Sequence, residues 1–258
     1  MSWSTILERQ ALWHKDSASQ YRLSSEDAVE LYQNAPLHQL MSAALLRRNA
    51  MHGESKVTYV IDRNINYTNI CTINCQFCSF YRPPGHEETY TQSIDEISAR
   101  IQELENIEGV RILMQGGVNP ELSFEWYENL LRELCTRHPS IAIDCFSPIE
   151  IEGIAEVSEL STLEVLTRLK AAGMHGLPGG GAEMLVDDVR KDVSPKKGLP
   201  ANWLRVMEEA QSLGLTTSAT NVIGFGETLE QRVEHMYRLR QLQDRSLEQH
   251  GIGFTSFI

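Results

Sequence analysis

The segment NICTINCQFCSFYRPPG, residues 69–85, carries three cysteines within eight positions, Cys71, Cys75 and Cys78. Their spacing is Cys-x3-Cys-x2-Cys. Structural zinc sites usually take four ligands arranged as two paired knuckles, and the segment supplies no second knuckle. A [4Fe–4S] cluster is normally held by four thiolates, so three thiolates leave one iron with an open coordination position. The segment therefore predicts a cluster whose open iron binds a cofactor.

A zinc site is the alternative from a different class of protein. His86 is the nearest candidate for a fourth ligand, and a Cys3His site would make the chain a zinc-stabilised structural or binding protein. The spacing fits zinc patterns poorly. Of the two remaining cysteines, Cys145 is expected to be a small buried strand residue and Cys135 to lie on an outer helix.

The cysteines directly follow VTYVIDRNI, residues 57–65, which is rich in β-branched residues and is predicted to be a strand. Helical and strand-like segments then alternate. The later strands are VRILMQGG, IAIDCFSP, MHGLPGGG, TTSATNVIGFGE and GIGFTSFI. Nearly continuous apolar strands in repeated βα units imply parallel pairing with helices outside. Polar and glycine-rich signals recur at the carboxyl ends of the strands, where barrel enzymes place their chemistry. The predicted fold class is α/β, a partial (β/α) barrel of about six units.

The predicted organisation is an N-terminal helical segment, residues 1–56, followed by the barrel core, residues 57–258. The sequence ends with the sixth strand, and an unpaired apolar strand edge is a liability. Either C-terminal units are missing, or another element closes the sheet.

Composition limits the classes of function. The 258 residues are 41% hydrophobic and carry a net charge of −12, which disfavours nucleic acid as a partner. The apolar runs are too short to span a membrane, and the first residues carry charges where a signal peptide needs its apolar stretch. We expect a cytoplasmic protein without a membrane partner, in which a tight cysteine cluster indicates metal or redox chemistry.

The cysteine motif, with the aromatic Phe77 between its second and third cysteines, resembles the signature of radical S-adenosylmethionine (SAM) enzymes. The resemblance implies that the open iron binds the amino and carboxylate groups of SAM. It also implies that one electron, delivered by a donor such as a flavodoxin or ferredoxin, cleaves SAM to a 5′-deoxyadenosyl radical. A small-molecule substrate then loses a hydrogen atom to that radical.

Longer segments narrow the resemblance. INYTNICTINCQFCSFYRPPG, ILMQGGVNPELSFEWYENLL, FSPIEI, LPGGGAEMLVDDVRKDVSPKK and GFTSFI together resemble the dehypoxanthine futalosine cyclases of the futalosine route to menaquinone. The alternatives are aminofutalosine synthase, disfavoured by NYTN and FYRPPG, and the deazaflavin-forming FO synthase subunits, disfavoured by PGGGAE. The resemblance implies that the ribose of dehypoxanthine futalosine loses hydrogen from C4′, that the carbon radical adds to the benzoate ring, and that an electron and a proton then leave. It also implies two further βα units, so we expect C-terminal units to be missing and the chain alone to be incomplete or inactive.

The resemblance assigns cofactor-binding residues at the ends of three strands. Phe77 belongs to the cysteine motif, and the end of the second strand is expected to meet the amino group of SAM through Gln115, Gly116 and Gly117. Many relatives have a glutamate next, but Val118 stands here, so the backbone must do the binding. Ser147 and Glu150, at the end of the third strand, are candidates to bind the ribose of SAM or the hydroxyls of the substrate. Ile223 and Gly224, at the end of the fifth strand, are candidates to lie against adenine. A serine before proline is equally a helix-start signal.

The sequence signals for substrate contacts and for the catalytic base are less specific. The glycine loop, Gly179, Gly180 and Gly181, is expected to open a helix and to contact the substrate or the carboxylate of SAM. Arg63 and Arg82 are candidates for the benzoate because arginine pairs with carboxylates in a bidentate way, although a solvated or cluster-supporting role is the commoner one. The candidate bases are Tyr67, Glu183 and His175. Glu183 is equally explained as an acid in the first turn of a helix.

Overall fold

The structure, a computed structural model, describes residues 1–53 and 56–258. The described residues form two compact units. The first comprises Met1–Tyr59 with Gly226–Tyr237, and the second comprises Val60–Phe225 with Arg238–Ile258. The predicted division of the chain at residue 57 stays a prediction, and Glu54 and Ser55 beside it lie outside the described residues.

The first unit is helical, as its sequence predicts. It contains α1 (Trp3–Ala11), a 3-10 helix (Lys15–Tyr21), α2 (Ser25–Asn34) and α3 (Leu37–His52). The Ser24 side chain caps α2 by accepting a hydrogen bond from the Asp27 amide at 3.1 Å. At the end of α3, Gly53 takes the left-handed conformation, with φ of 60°, that glycine adopts most readily.

The second unit is a parallel sheet of six strands in chain order. The strands are β1 (Asp62–Ile65), β2 (Arg111–Met114), β3 (Ala142–Cys145), β4 (Gly176–Leu177), β5 (Thr216–Ala219) and β6 (Phe254–Phe257). The intervening helices are α4 (Ile94–Glu105), α5 (Phe124–Arg137), α6 (Pro148–Ser158), α7 (Thr162–Ala172), α8 (Asp187–Val193), α9 (Pro200–Ser212) and α10 (Leu229–His250). Sequential parallel strands joined by helices are the pattern of a (β/α) barrel, so the predicted partial barrel is confirmed.

The strands alternate in burial, which differs from the continuous apolar strands that we predict from sequence. Ile112 and Met114 of β2 are fully buried, whereas Arg111 and Leu113 between them are half-buried. The buried face joins a core that α4, α5, α7 and α9 also supply. The other face carries both apolar and charged side chains, and Arg111 there forms an ion pair with Asp62 of β1 at 2.5 Å.

The first strand is shorter than predicted. β1 covers only its last four predicted residues, which are the four that pair with β2. Val57 and Tyr59 are 79% and 88% exposed. Their β-branched and aromatic character therefore raises the strand propensity without producing a strand. No helix among the described residues has the length and apolar composition needed to cross a membrane.

Candidate active site

A cavity of about 450 Å³ lies at the carboxyl ends of the first four strands. One residue that follows each strand lines it: Asn66 after β1, Gln115 after β2, Ser147 after β3 and Gly180 after β4. Further lining residues include Cys71, Cys75, Phe77, Cys78, Gly116, Gly117, Glu150, Gly181, Glu183 and Lys197. The fold therefore brings most of the predicted site residues into one cavity.

Backbone hydrogen bonds hold the cysteine loop, residues 69–85, in place. The Cys71 amide donates to the Arg82 carbonyl at 2.9 Å, and the Arg82 amide donates to the Asn69 carbonyl at 2.7 Å. The Arg82 guanidinium binds Glu88 at 2.6 Å and the Ser79 and Tyr81 carbonyls at 3.1 and 2.9 Å. Arg82 thus braces the loop and lies outside the cavity lining.

The two glycines after β2 allow the cysteine loop to pack directly on that strand. A side chain at Gly117 would place its Cβ 2.1 Å from the Ile70 carbonyl oxygen and 2.7 Å from the Cys71 Cβ. Beyond Gly117, the Val118 amide points at the Cys71 Sγ, 3.4 Å away, and the Val118 carbonyl accepts from the Thr72 amide at 3.1 Å. Only glycine permits this approach at position 117.

The three cysteines fit an iron–sulfur cluster. All are free thiols that line one cavity, and the Val118 backbone N–H is directed at the Cys71 sulfur. Burial raises the pKa of Cys75, and the nearby Lys197 opposes this shift. Within the described residues, no three His, Cys, Asp or Glu side chains converge on a single metal ion. Thiolates that each bind a different iron of a cluster have no need to converge in that way.

A buried carboxylate, Glu150, also lines the cavity. Its Oε1 accepts hydrogen bonds from the Tyr67 hydroxyl at 2.8 Å and the Gly116 amide at 2.9 Å. Its Oε2 accepts from Ser147 at 2.7 Å, and Ser147 is also the N-cap of α6, followed by Pro148. Burial raises the pKa of Glu150 to about 7, against the three hydrogen bonds and the charge of Lys197, which lower it. Glu150 can therefore exchange a proton near neutral pH.

Tyr67, a predicted base, is fully buried and donates its hydroxyl proton to Glu150. Burial and the neighbouring Glu150 raise the pKa of Tyr67 well above its usual value. A phenol in this setting stays protonated at neutral pH, so the geometry makes Tyr67 a partner of Glu150.

The glycine loop does not open a helix directly, which corrects the prediction. α8 begins at Asp187, because Ala182, Met184 and Leu185 first pass through the protein interior. Glu183 therefore is not an acid in a helical first turn. Its Oε1 accepts a hydrogen bond from the Lys197 ammonium at 2.5 Å, and its buried Oε2 has no hydrogen-bond partner among the described residues. These two side chains form an ion pair on the cavity wall.

The structure places several other predicted residues away from the cavity lining. Arg63 faces α4, where it binds Glu103 at 2.5 Å and the Arg100 carbonyl at 2.8 Å. His175 lies at the amino end of β4, the end opposite the cavity, and its Nδ1 accepts from the Ile143 amide at 3.1 Å. Gly179, Ile223 and Gly224 are also outside the lining, and so is His86, which accepts a hydrogen bond from the Glu88 amide.

Sequence reasoning missed two cations that belong to this region, Lys197 and Arg190. Both lie in DVRKDVSPKK, directly after the glycine loop, and this basic run was the available signal. A charge run is usually a solvated surface, so burial of these side chains follows only from the three-dimensional structure.

A thiol-lined cavity at the carboxyl ends of a parallel βα series defines a barrel protein built to hold a cofactor. Residues 65–239 match the Radical SAM superfamily, and the chain belongs to that family. Radical SAM enzymes use a [4Fe–4S] cluster and SAM as cofactors, which confirms the predicted cofactors.

The chain is 43% identical over 258 residues to a protein of Halalkalibacterium halodurans named cyclic dehypoxanthine futalosine synthase, covering 100% of this chain and 66% of that protein. It is 38% identical over 237 residues to an aminodeoxyfutalosine synthase of Thermus thermophilus, covering 92% of this chain and 62% of that protein. The chain thus spans slightly less than two thirds of these relatives.

Among solved structures, the hydrogenase maturase HydG of Carboxydothermus hydrogenoformans matches 99% of this chain and 55% of its own, with a TM-score of 0.73 and 18% identity. At this low identity the match concerns the fold alone, and it supports the partial radical SAM barrel.

Proposed function

We propose that the chain carries the radical SAM core of a cyclase that converts dehypoxanthine futalosine to cyclic dehypoxanthine futalosine in menaquinone biosynthesis. The observation that carries this proposal is the 43% identity, over the whole chain, to a relative of that name. The electron donor is proposed to be a flavodoxin or ferredoxin, and the protein is proposed to work in the cytoplasm.

The residues of the cavity have distinct proposed tasks. Bound together, a [4Fe–4S] cluster and SAM supply the 5′-deoxyadenosyl radical. Cys71, Cys75 and Cys78 hold the cluster. Lys197 offers a cation for the SAM carboxylate, and the unpartnered Oε2 of Glu183 accepts a hydrogen bond from a hydroxyl or ammonium group.

Glu150 is the proposed proton acceptor. After the substrate loses its C4′ hydrogen and C4′ joins the benzoate ring, the ring must give up one proton to a base and one electron to a one-electron acceptor. Glu150 lines the cavity and has a pKa of about 7, close to the value that suits a general base at neutral pH. Tyr67 donates to the same carboxylate and fixes its orientation.

A second candidate is the reaction of aminodeoxyfutalosine synthase, because the Thermus thermophilus relative of that name is 38% identical. The deazaflavin-forming FO synthase subunits are a further alternative. All three candidates use the same cofactors, so the cavity residues described above do not separate them.

An assay with isotopically labelled substrates separates these candidates. The protein, reduced, cluster-loaded and in a form as long as its curated relatives, is incubated with SAM and, separately, with each candidate substrate, including dehypoxanthine futalosine that carries deuterium at C4′. We expect 5′-deoxyadenosine containing deuterium, and a product lighter than the labelled substrate by one deuterium and one hydrogen. Label-free 5′-deoxyadenosine from this substrate, or product formation from another candidate only, would contradict the proposal.

A further inference from the structure

Arg190 of α8 is a buried cation whose hydrogen bonds all go to the backbone. Its side chain is 2% exposed. Its Nη1 donates to the carbonyls of Gly181 at 2.8 Å and Ala182 at 3.0 Å, while Nε and Nη2 donate to those of Gly198 and Lys197, both at 3.2 Å. Burying a guanidinium is costly unless its donors are satisfied, and these four carbonyls accept from four of its five N–H groups.

The four carbonyls belong to two segments that carry cavity residues. Gly181 and Ala182 directly precede Glu183, and Lys197 directly precedes Gly198. Arg190 thereby ties the backbones on both sides of the Glu183–Lys197 ion pair to one rigid planar group. The Arg190 Nη1 also lies 3.9 Å from the Glu183 Oε2. The position of this cavity wall therefore depends on one side chain that does not itself line the cavity.

The segment that contains Arg190 also holds the cysteine loop. The Gln76 amide donates to the Val193 carbonyl at 3.0 Å, and the Gln76 side chain donates to the Asp192 carbonyl at 2.5 Å. The Lys196 ammonium donates to the Thr72 carbonyl at 3.2 Å. One short segment, residues 187–198, thus connects the loop of the cluster ligands to the wall of the cofactor cavity.

We propose that Arg190 is a positioning residue that sets the glycine loop, Lys197 and the cysteine loop at the spacing SAM needs to reach the cluster. Protein groups that bind a ligand lose much of their contribution to affinity when they are displaced by a fraction of an ångström. A side chain that holds both loops in place therefore affects SAM binding directly. The proposal goes beyond the proposed function because it concerns SAM alone and holds for any substrate.

The test compares Arg190→Lys with Arg168→Lys, a control on the half-exposed arginine that pairs with Glu128. The lysine ammonium lacks the planar, forked guanidinium with which Arg190 binds both segments at once. We expect Arg190→Lys to retain its iron and its cluster spectrum without SAM, while its Kd for SAM, measured by titration of the cluster signal, rises about tenfold or more. The control should bind SAM like the unmodified protein.

A Kd for SAM within about twofold of the unmodified protein in an iron-loaded Arg190→Lys variant would overturn the proposal. If that variant fails to fold or to hold iron, amide hydrogen exchange of the unmodified, cluster-loaded protein tests the proposal instead. SAM should then slow amide exchange in residues 190–198 as well as in the cysteine loop. Unchanged exchange in residues 190–198 would refute a clamp shared by the two loops. No substrate enters either experiment, so its outcome is independent of the cyclase assay.

Discussion

At the scale of single residues, the hydrogen-bond partners of each acid decide what it can do. Glu150 and Glu183 are both buried on the cavity wall. Glu150 has only neutral hydrogen-bond donors, Tyr67, Gly116 and Ser147, whereas Glu183 has the Lys197 cation. The first arrangement, together with burial, leaves a carboxyl that gains and loses a proton near neutral pH, and the second is an ion pair on the cavity wall.

Removing Glu150's charge should change how stability depends on pH. Its pKa is about 7 in the folded chain against an ordinary value of 4.5. Because the folded pKa is the higher one, the stability present below about pH 4.5 declines as pH rises through 7. Glu150→Gln preserves the hydrogen-bonding shape without the titration. Between pH 5 and 8, the free energy of unfolding of the unmodified protein should therefore fall relative to that of the variant, by up to roughly 3 kcal/mol.

Urea unfolding of both proteins in the same cluster state measures this difference. Parallel pH profiles would mean that Glu150 is already ionised in the folded chain at pH 5. They would also remove the reason for choosing it as the proton acceptor.

The metal-ligand assignment predicts a selective loss of iron. Cys75→Ala removes one of three thiolates, and we expect the iron content of reconstituted protein to fall from about four per chain to nearly none. Cys135→Ala is the matched control, because Cys135 lies on α5 and its thiol contacts the Gly173 carbonyl at 3.4 Å. Iron analysis and the visible spectrum measure the effect. Equal iron in both variants would contradict the assignment.

At the scale of elements, the loops that follow the strands build the site, and the strands only position them. Ser147 caps α6, Gly116 and Gly117 follow β2, and the segment after β4 returns to the cysteine loop. Sequence reasoning located the first two features, because caps and paired glycines are local signals. It missed the third, because the contacts of Gln76 with residues 192 and 193 join segments more than a hundred positions apart.

Gly117→Ala tests the close packing of two of these loops. The added Cβ would meet the Ile70 carbonyl and the Cys71 Cβ, so the cysteine loop must move. We expect about 1–3 kcal/mol of destabilisation together with loss of bound iron. Gly85→Ala is the control within the cysteine loop. It has open space around it and only the strain of φ +80°, so it should cost about 1–2 kcal/mol and keep the iron. Equal iron in the two variants would show that the packing at Gly117 does not position the cluster ligands.

At the scale of the whole molecule, the fold could be predicted much more fully than the site. Periodic helices and six strand-like segments indicate a partial parallel barrel, and the cysteine spacing indicates the cofactors. The roles of single polar residues could not be predicted, because the same residue types also serve structure. Arg63 binds an outer helix and His175 lies at the wrong end of its strand, yet nothing in their local sequence distinguishes them from Glu150.

The measurement that tests the central claim most directly is the electron paramagnetic resonance spectrum of the anaerobically prepared, reduced protein, recorded without and with SAM. Three thiolates that leave one iron open predict the signal of a reduced [4Fe–4S] cluster, and this signal should change when SAM is added. A protein that binds no cluster, or a cluster signal that SAM leaves unchanged, would contradict the account.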